Sequence, residues 1–494
     1  MALSRDTSRD GAFRVVIAGG GVAGLESLIA LRALARDRLA IELVAPTDEF
    51  VYRPLSVLDP FAGGAVRRYS LPEIAADLGA GFRHDTLAGV RGEERVVVTE
   101  GGAELAYDAL VVATGARRLP AYERTLTFRG EQDAEAAHGL IQDLEAGYTR
   151  RLGFVVPGGV TWTLPLYELA LMTAARAYDV YASEVALTLI TPEAAPLEVF
   201  GPAVSSAVAS LLAAAGIAFQ SATVKRVEAG RTVILEGRDG PPEFDHVIAL
   251  PRLAGPRIAG LPADAEGFLP VNSHARVQGL ERVLAAGDGT SQPIKQGGLA
   301  AQQADAAAEM IAAQAGAPLR PRPFEPVLRA ILLTGSKPRY LRRALSGADP
   351  PFGEISEQPL WVPPSKIAGA YLAPYLDARD AHSEAAEPAG VERRLAAHPA
   401  PGVRRRAILA PSPRSEARFD LLPIDGLTCA SGIGRVTHTE TYGCVSEKSG
   451  STMFHTRSGE AVGACCVALA RRGRPGAMKL PNTTRMELWL HDHA

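Results

Sequence analysis

Cysteine is scarce in this chain, and the position of the few cysteines says more about function than their number does. The chain has four cysteines, which is too few for the disulfide framework of a small secreted protein. They are Cys429, Cys444, Cys465 and Cys466. Residues 1–428 therefore function without a thiol. None of the four has the C-x-x-C spacing of a structural zinc site, so the sequence predicts no metal centre.

Neither sign of charge is in excess, and long apolar runs are absent. Lys and Arg number 52 against 55 Asp and Glu, so no basic field would attract nucleic acid. No apolar run reaches the roughly 20 residues of a membrane-spanning helix, and the polar N-terminus has no signal-peptide core. These absences predict a cytoplasmic protein with no transmembrane segment. Peripheral contact with the inner face of the membrane is the alternative.

The remaining composition is that of a globular protein. The chain has 494 residues, of which 47% are hydrophobic and 22% charged, which excludes a disordered or fibrous protein. This length is enough for about three domains.

A glycine-rich turn near the N-terminus predicts a dinucleotide-binding unit. Residues 13–18 form a β-branched run typical of a buried parallel strand, and residues 25–31 have helical spacing. Between them, Gly19 permits a tight turn, Gly21 lets the backbone approach a pyrophosphate, and Gly24 lets helix and strand pack closely. We therefore interpret the turn as a binding site, the alternative being a plain glycine turn.

The acidic residue that usually contacts the adenosine ribose is missing. A second strand over residues 40–44 follows at the βαβ distance, but Ala45, Pro46 and Thr47 occupy the place of that residue. Asp48 and Glu49 come later, in the loop. The sequence therefore predicts that ribose contacts come from the backbone or from this loop.

Two later motifs identify the kind of dinucleotide. Residues 107–116, Y-D-A-L-V-V-A-T-G-A, resemble the Y-D-x-L-V-x-A-T-G signature of two-dinucleotide-binding flavoproteins. Residues 282–289, R-V-L-A-A-G-D-G, resemble the Gly-Asp motif whose aspartate contacts the ribityl chain of FAD in that superfamily. The three motifs occur in the order and at the separations of the superfamily, which makes the combination more specific than each motif alone.

Residues 12–380 resemble the pyridine nucleotide–disulfide oxidoreductase superfamily. Within it they resemble the branch of sulfide:quinone oxidoreductases, type II NADH dehydrogenases and flavocytochrome c flavoproteins, through F-V-Y-R-P-L at 50–55 and P-I-K-Q-G-G at 293–298. The resemblance implies FAD and an α/β fold of two Rossmann-like domains, the second inserted in the first. The implied domains are an FAD-binding domain at 12–121 and 268–322, an NAD(P)-like domain at 122–267, a capping or interface domain at 323–383, and a tail at 384–494.

The resemblance also implies a set of cofactor-binding residues. Arg53 and Pro54 would lie near the FAD pyrophosphate, and Lys295 would approach the isoalloxazine edge. Lys295 is the candidate catalytic residue, as an electrostatic partner of the reduced flavin; the alternative is a solvated lysine. A helix beginning near Leu299 would direct its N-terminal dipole at the flavin. The predicted cofactor-binding residues are Gly19, Gly20, Gly21, Val22, Ala23, Gly24, Arg53, Pro54, Ala113, Thr114, Gly115, Gly287, Asp288, Lys295, Gln296 and Gly297.

The second nucleotide motif is degenerate. Alignment of its strand with the first motif places Pro157 on Gly19, Gly159 on Gly21 and Trp162 on Gly24, so that only the middle glycine is kept. Proline fixes φ near −65° where the turn needs freedom, and an indole stands where helix and strand should meet. The nearby carboxylate, Glu193, also comes two residues late. The sequence disfavours NAD(P)H here without excluding it. Trp162 is either a wall of the active site or a residue of domain packing.

The missing cysteines restrict the chemistry that the resemblance implies. Disulfide reductases and sulfide:quinone oxidoreductases of this superfamily use cysteines near the flavin, and residues 1–428 contain none. The sequence therefore predicts an FAD-dependent oxidoreductase that passes electrons from a small-molecule donor to a quinone-like or other acceptor without cysteine chemistry. The alternatives are an electron-relay subunit that needs a protein partner and a type II NADH dehydrogenase with an atypical nicotinamide site.

The C-terminal quarter is predicted with less detail. Residues 324–345 split at the turn T-G-S-K-P into two extended or short helical pieces, and residues 367–378 are predicted as a helix. Aromatic residues in this region predict core or homodimer contacts, or an apolar approach to a membrane surface. They are Tyr340, Trp361, Tyr371 and Tyr375. From residue 384 the chain is rich in Pro, Ser and Gly and lacks periodicity, which predicts a mostly disordered or weakly folded tail.

Overall fold

The computed structural model divides the chain into two units, Met1–Val391 and Glu392–Ala494. In the first unit it describes residues 11–62, 66–182, 184–228, 231–237, 240, 242–346 and 352–386. In the second it describes residues 420–424, 427–436, 439–446 and 451–458. No helix within these ranges is long and apolar enough to cross a membrane.

The described helices all belong to the first unit. They are α1 (Val22–Ala35), α2 (Asp59–Ala62), α3 (Leu71–Asp77), α4 (Ala134–Glu145), α5 (Leu164–Asp179), α6 (Pro202–Ala214), α7 (Gly297–Gln314) and α8 (Leu372–Ala386).

The described strands of the first unit alternate with these helices. The strands before the second sheet are β1 (Phe13–Ala18), β2 (Leu39–Ala45), β3 (Glu49–Val51), β4 (Arg68–Ser70), β5 (Gly81–His84), β6 (Leu87–Arg91), β7 (Val96–Thr99), β8 (Glu104–Ala106), β9 (Ala109–Val112) and β10 (Arg117–Leu119). The later strands are β11 (Leu126–Thr127), β12 (Arg151–Val155), β13 (Ala186–Thr191), β14 (Ile217–Ser221), β15 (Val224–Val227), β16 (Val233–Leu235), β17 (His246–Ala249), β18 (Arg252–Ala254), β19 (Val283–Ala285), β20 (Val327–Leu332), β21 (Arg339–Ala344) and β22 (Glu354–Ser356).

A five-stranded parallel sheet forms the centre of the first dinucleotide fold. Its order is β19-β9-β1-β2-β5, and β1 lies between β2 and β9. The β-branched run of β1 is buried from Val15 to Ala18 because helices cover one face and the antiparallel strands β6 to β8 lie against the other. Helices α1 and α7 pack together through small side chains such as Ala30, Ala304 and Ala308.

A second five-stranded parallel sheet lies between β9 and β19 in sequence. Its order is β11-β17-β12-β13-β14. Helix α5 covers it with an almost wholly apolar face, and Tyr167 on that helix is fully buried. The predicted α/β fold, with one Rossmann-like domain inserted in another, is therefore confirmed.

The C-terminal part of the first unit is a three-stranded antiparallel sheet followed by α8. Strands β20 and β21 form a hairpin across the predicted T-G-S-K-P turn, so that both pieces are extended. The predicted helix 367–378 begins later, at Leu372. The reason is a contact with another helix: the carboxylate of Glu26 accepts the backbone N–H groups of Tyr371 and Leu372, and this ends the preceding loop.

The second unit contains a four-stranded antiparallel sheet. Its strands, in sheet order, are β23 (Asp420–Ile424), β24 (Leu427–Val436), β25 (Thr439–Ser446) and β26 (Ser451–Ser458). The sequence predicts a mostly disordered or weakly folded tail over residues 384–494, and these strands are the part of it that the structure describes. Their sequences lack sustained alternation, and neighbouring strands pair through the backbone, which the pattern does not reveal. The other residues beyond Ala386 lie outside the described residues.

Candidate functional site

A cavity of about 1090 Å³ opens at the carboxyl ends of the first parallel sheet. The turns after β1, β9 and β19 line it, together with the loop after β2. In open parallel sheets this edge is the usual place for a ligand. Residues of the inserted domain and of the segment before α8 complete the wall, so three parts of the first unit contribute to one space.

The predicted cofactor-binding residues converge on this cavity. All of them line it except Gly24. Gly24 instead lies against the turn, so close that a Cβ there would overlap the carbonyl oxygen of Gly19. It therefore acts in the close packing of α1 on the turn, which is the role that the sequence predicts for the third glycine. Thr47, in the loop after β2, and Glu49, the first residue of β3, line the wall at the place where the ribose acid is missing.

The glycine turn leaves room for a polyanionic dinucleotide. Gly19 has a φ of 124°, which L-residues rarely adopt, and a Cβ there would overlap the backbone of Ala113. A Cβ at Gly21 would meet no protein atom within 4 Å, so the backbone is exposed to the cavity. Helix α1 begins at the next residue and directs its free N–H groups into the same space. This arrangement fits a bound pyrophosphate.

Cations and one carboxylate face each other deeper in the cavity. Arg53, Arg118 and Lys295 surround Asp288, and burial raises the pKa of Asp288 against the opposing effect of these three cations. Within the described part of the chain, the Asp288 carboxylate accepts no hydrogen bond. Burial, followed by the repulsion of Arg53, lowers the pKa of Arg118 to about 10. An unpaired carboxylate beside excess positive charge fits a ligand that carries both hydroxyl groups and phosphates.

Lys295 is fixed in place instead of extending into solvent. Its ammonium group donates to the carbonyl oxygen of Thr290 and lies 3.7 Å from the centre of the Phe268 ring. Burial lowers the pKa of Lys295 to about 8, although Asp288 and Asp264 oppose this shift. The side chain therefore lines the cavity as a cation at neutral pH.

Helix α7 begins at the cavity wall, beside Lys295. The side chain of Gln296 caps it by accepting the N–H of Leu299 at 2.8 Å. On the next turns, Gln303 accepts the N–H of Gly287 at 2.7 Å, which fixes the turn that carries Asp288. The predicted helix dipole thus points at the cavity.

A buried ion pair lies on another part of the wall. The ammonium group of Lys366 is 2.7 Å and 2.8 Å from the two carboxylate oxygens of Glu168, and 3.0 Å from the carbonyl oxygen of Pro54. Glu168 also accepts the N–H of Leu333. The side chain of Lys366 is 8% exposed and that of Glu168 is 1% exposed, yet both line the cavity. Burial raises the pKa of Glu168, and the Lys366 charge opposes that rise.

The second glycine turn differs from the first in length. Three residues separate β1 from α1, whereas residues 156–163 separate β12 from α5. The turn before α5 is therefore longer than the tight turn of a dinucleotide-binding motif. Trp162 packs against Phe200, with ring centres 6.0 Å apart, and also lines the cavity. Both roles considered for Trp162 thus apply, as a packing residue and as a wall.

The carboxylate of the inserted domain is already occupied. Glu193 is 8% exposed and accepts hydrogen bonds from the hydroxyl groups of Thr163 at 3.1 Å, Tyr167 at 2.8 Å and Thr191 at 2.9 Å. Both carboxylate oxygens are therefore engaged by hydroxyl groups of the protein. The residues of this second site do not fit a nicotinamide dinucleotide bound in the usual way.

Comparison with known proteins assigns the family. Residues 13–308 match the family model described as pyridine nucleotide-disulphide oxidoreductase. The chain belongs to this family. It is an FAD-dependent oxidoreductase, as the motifs predict.

Individual relatives resemble parts of this oxidoreductase. The mitochondrial sulfide:quinone oxidoreductase of Dictyostelium discoideum is 33% identical over 105 residues, which cover 21% of this chain and only 23% of that relative. The solved sulfide:quinone oxidoreductase of Aquifex aeolicus aligns with a TM-score of 0.62 and 20% identity, over 70% of this chain and 87% of that one. A ferredoxin reductase of Rhodopseudomonas palustris aligns with a TM-score of 0.53 and 19% identity, over 68% of this chain and 84% of that one. These two structures share the fold.

Sequence reasoning missed the Glu168–Lys366 pair of this oxidoreductase. The two residues are 198 positions apart, and each lies in a segment without a local motif. Arg118 was also missed, although it follows the A-T-G motif closely. The run of two arginines directly after that motif is a signal that could have indicated it.

Proposed function

We propose that this flavoprotein transfers electrons from a small reductant to a quinone-like acceptor without any cysteine chemistry. The observation that carries the proposal is the buried Glu168–Lys366 pair on the wall of a cavity that no cysteine lines among the described residues. All four cysteines lie beyond residue 428, in the second unit. The site thus offers proton-transferring groups where thiol-dependent relatives would need sulfur.

The residues that would hold FAD follow from the cavity. The turn Gly19–Gly21 and the start of α1 would receive the pyrophosphate, with Arg53 and Arg118 neutralising its charge. Asp288 would accept hydrogen bonds from the ribityl hydroxyl groups, and Lys295 would face the flavin edge as a cation. When bound, FAD supplies transfer of two electrons.

A quinone that accepts two electrons also takes up two protons, so a side chain of the cavity that donates a proton to it would assist the step. We infer that the Glu168–Lys366 pair serves this step, because burial raises the pKa of Glu168 and Lys366 donates to both of its oxygens. Proton transfer from a positioned side chain contributes about 100-fold or more to such steps.

The decisive experiment separates proton delivery from electron transfer. The holoprotein is reduced by light under anaerobic conditions and then mixed with a water-soluble ubiquinone or with ferricyanide, which accepts electrons but no protons. We expect Glu168→Gln to slow reoxidation by the quinone about 100-fold. Reoxidation by ferricyanide should stay at the wild-type rate.

A double variant guards against a folding artefact. Glu168→Gln alone leaves Lys366 buried without its counter-ion, so Glu168→Gln with Lys366→Met removes both charges together. Equal slowing with both acceptors would show that the pair supports the fold only, and an unchanged quinone rate would contradict the proposal. Reoxidation by a co-purifying redox protein, but not by quinone, would favour the relay subunit instead.

A further inference from the structure

The segment that brings Lys366 into the cavity is held at two places. Residue 367 follows directly, and its N–H donates to the hydroxyl oxygen of Tyr52 at 2.9 Å. Helix α8 then begins at Leu372. Because few residues separate Lys366 from α8, the docking of that helix helps to determine where the Lys366 ammonium group lies.

Glu26 provides the docking point. It lies on α1, the helix of the first glycine turn, and is fully buried. One carboxylate oxygen accepts the N–H of Tyr371 at 2.7 Å, and the other accepts the N–H of Leu372 at 2.8 Å. A side chain from a distant helix thus takes the place of the N-terminal cap of α8.

A second carboxyl group lies against Glu26. Asp305 on α7 is within hydrogen-bond reach of it, and one Asp305 oxygen is buried with no partner among the described residues. Two buried carboxyl groups in contact cannot both be ionised without strong repulsion. The other charged or titratable groups that face the pair are Glu309, Arg322 and Tyr371.

We propose that Glu26 and Asp305 are positioning residues that share one proton and so hold the Lys366 segment in the cavity. Asp305 donates the proton to the Glu26 carboxylate, and Glu26 in turn accepts the two N–H groups at the start of α8. Loss of the shared proton places two negative charges side by side. The start of α8 is then released, and Lys366 leaves its buried position beside Glu168.

The direction of the pH dependence follows from the raised pKa of Asp305. Burial, and then the charge of Glu26, raise it from 3.8 to about 8. A carboxyl group with a raised pKa in the folded protein stabilises the docked state at low pH, and this contribution is lost as the pH rises through about 8. The population with α8 undocked should therefore rise by up to about tenfold per pH unit below that value and level off above it.

The test measures exposure of Lys366 directly and requires no electron acceptor. The full-length holoprotein is acetylated briefly at several pH values between 6 and 9, and peptides are quantified by mass spectrometry. Lys337, whose side chain is 81% exposed, provides the internal reference for the intrinsic reactivity of lysine. In the wild type, we expect labelling of Lys366 relative to Lys337 to increase at least tenfold between pH 6 and pH 8.

Three variants decide the result. Asp305→Asn keeps a hydrogen-bond donor but cannot ionise, so its relative labelling should stay low and independent of pH. Glu26→Gln leaves a single carboxyl group and should flatten the profile even if Asp305→Asn folds poorly. Glu309→Gln is the matched control on the same helix. It should keep the pH-dependent rise in labelling but shift it to a lower pH, because Glu309 helps raise the pKa of Asp305. A wild-type profile as flat as that of Asp305→Asn would overturn the proposal.

Discussion

At Gly24 the missing side chain serves packing, whereas at Gly21 it serves ligand binding. Gly21 ends the turn after β1, and Gly24 lies three residues later, in the first turn of α1. Only at Gly24 would an added methyl group collide with the protein, at the carbonyl oxygen of Gly19. At Gly21 it would enter open space in the cavity. Substitution by alanine should therefore lower stability at Gly24 and cofactor affinity at Gly21.

Gly24→Ala should lower the free energy of unfolding of the apoprotein by about 1–3 kcal/mol, since overpacking displaces the turn or the helix. Gly21→Ala should leave thermal unfolding of the apoprotein near the wild-type curve, but weaken FAD binding by about tenfold or more. Thermal unfolding and quenching of flavin fluorescence measure the two effects. Wild-type FAD affinity in Gly21→Ala would contradict the proposed position of the pyrophosphate.

At the level of elements, the two glycine turns show how similar sheets acquire different functions. In the first, α1 begins where the turn ends and faces the cavity. In the second, the turn is longer and Trp162 packs on Phe200. Glu193 is meanwhile engaged with three hydroxyl groups. The inserted domain has the sheet of a dinucleotide fold, but its turn and its carboxylate do not fit a nicotinamide dinucleotide bound in the usual way.

NADH and NADPH should therefore fail to bleach the absorption band of the oxidised flavin in anaerobic mixtures. Photoreduction of the same sample is the control, because it shows that the flavin can be reduced. Rapid bleaching by either nucleotide would mean that the second turn rearranges on binding, and would favour a type II NADH dehydrogenase.

The elements that were predicted correctly are those with a local signal. The strand, glycine turn and helix of residues 13–35 have a pattern that the structure confirms, because all their determinants lie within one βαβ unit. The start of α8 could not be predicted in this way. Its cap is Glu26, more than 300 residues earlier, and no periodicity in residues 367–378 indicates it. The Glu168–Lys366 pair was missed for the same reason.

At the scale of the whole molecule, the cysteines and the residues that line the cavity belong to different units of the chain. The cavity lies in Met1–Val391, and the cysteines lie in Glu392–Ala494. Cys429 and Cys444 are paired in register on neighbouring strands of the second unit. Under the proposed function, these residues have no part in electron transfer.

Replacement of all four cysteines by serine in the full-length chain should leave the rate of quinone reduction unchanged. Steady-state turnover and FAD content are the measurements, and an alkylated wild-type sample is the matched control. A large loss of turnover with normal FAD content would show that a thiol of the second unit reaches the flavin.

The contact between Glu26 and the start of α8 has a consequence for biosynthesis. The two partners are 345 residues apart, so the segment that carries Lys366 cannot dock until nearly all of the first unit has left the ribosome. The first glycine turn emerges early, yet the wall that encloses the cavity is completed last. Contacts of such high sequence separation form slowly. We therefore expect FAD to be retained only after synthesis of the first unit, with the nascent chain holding an open and incomplete site.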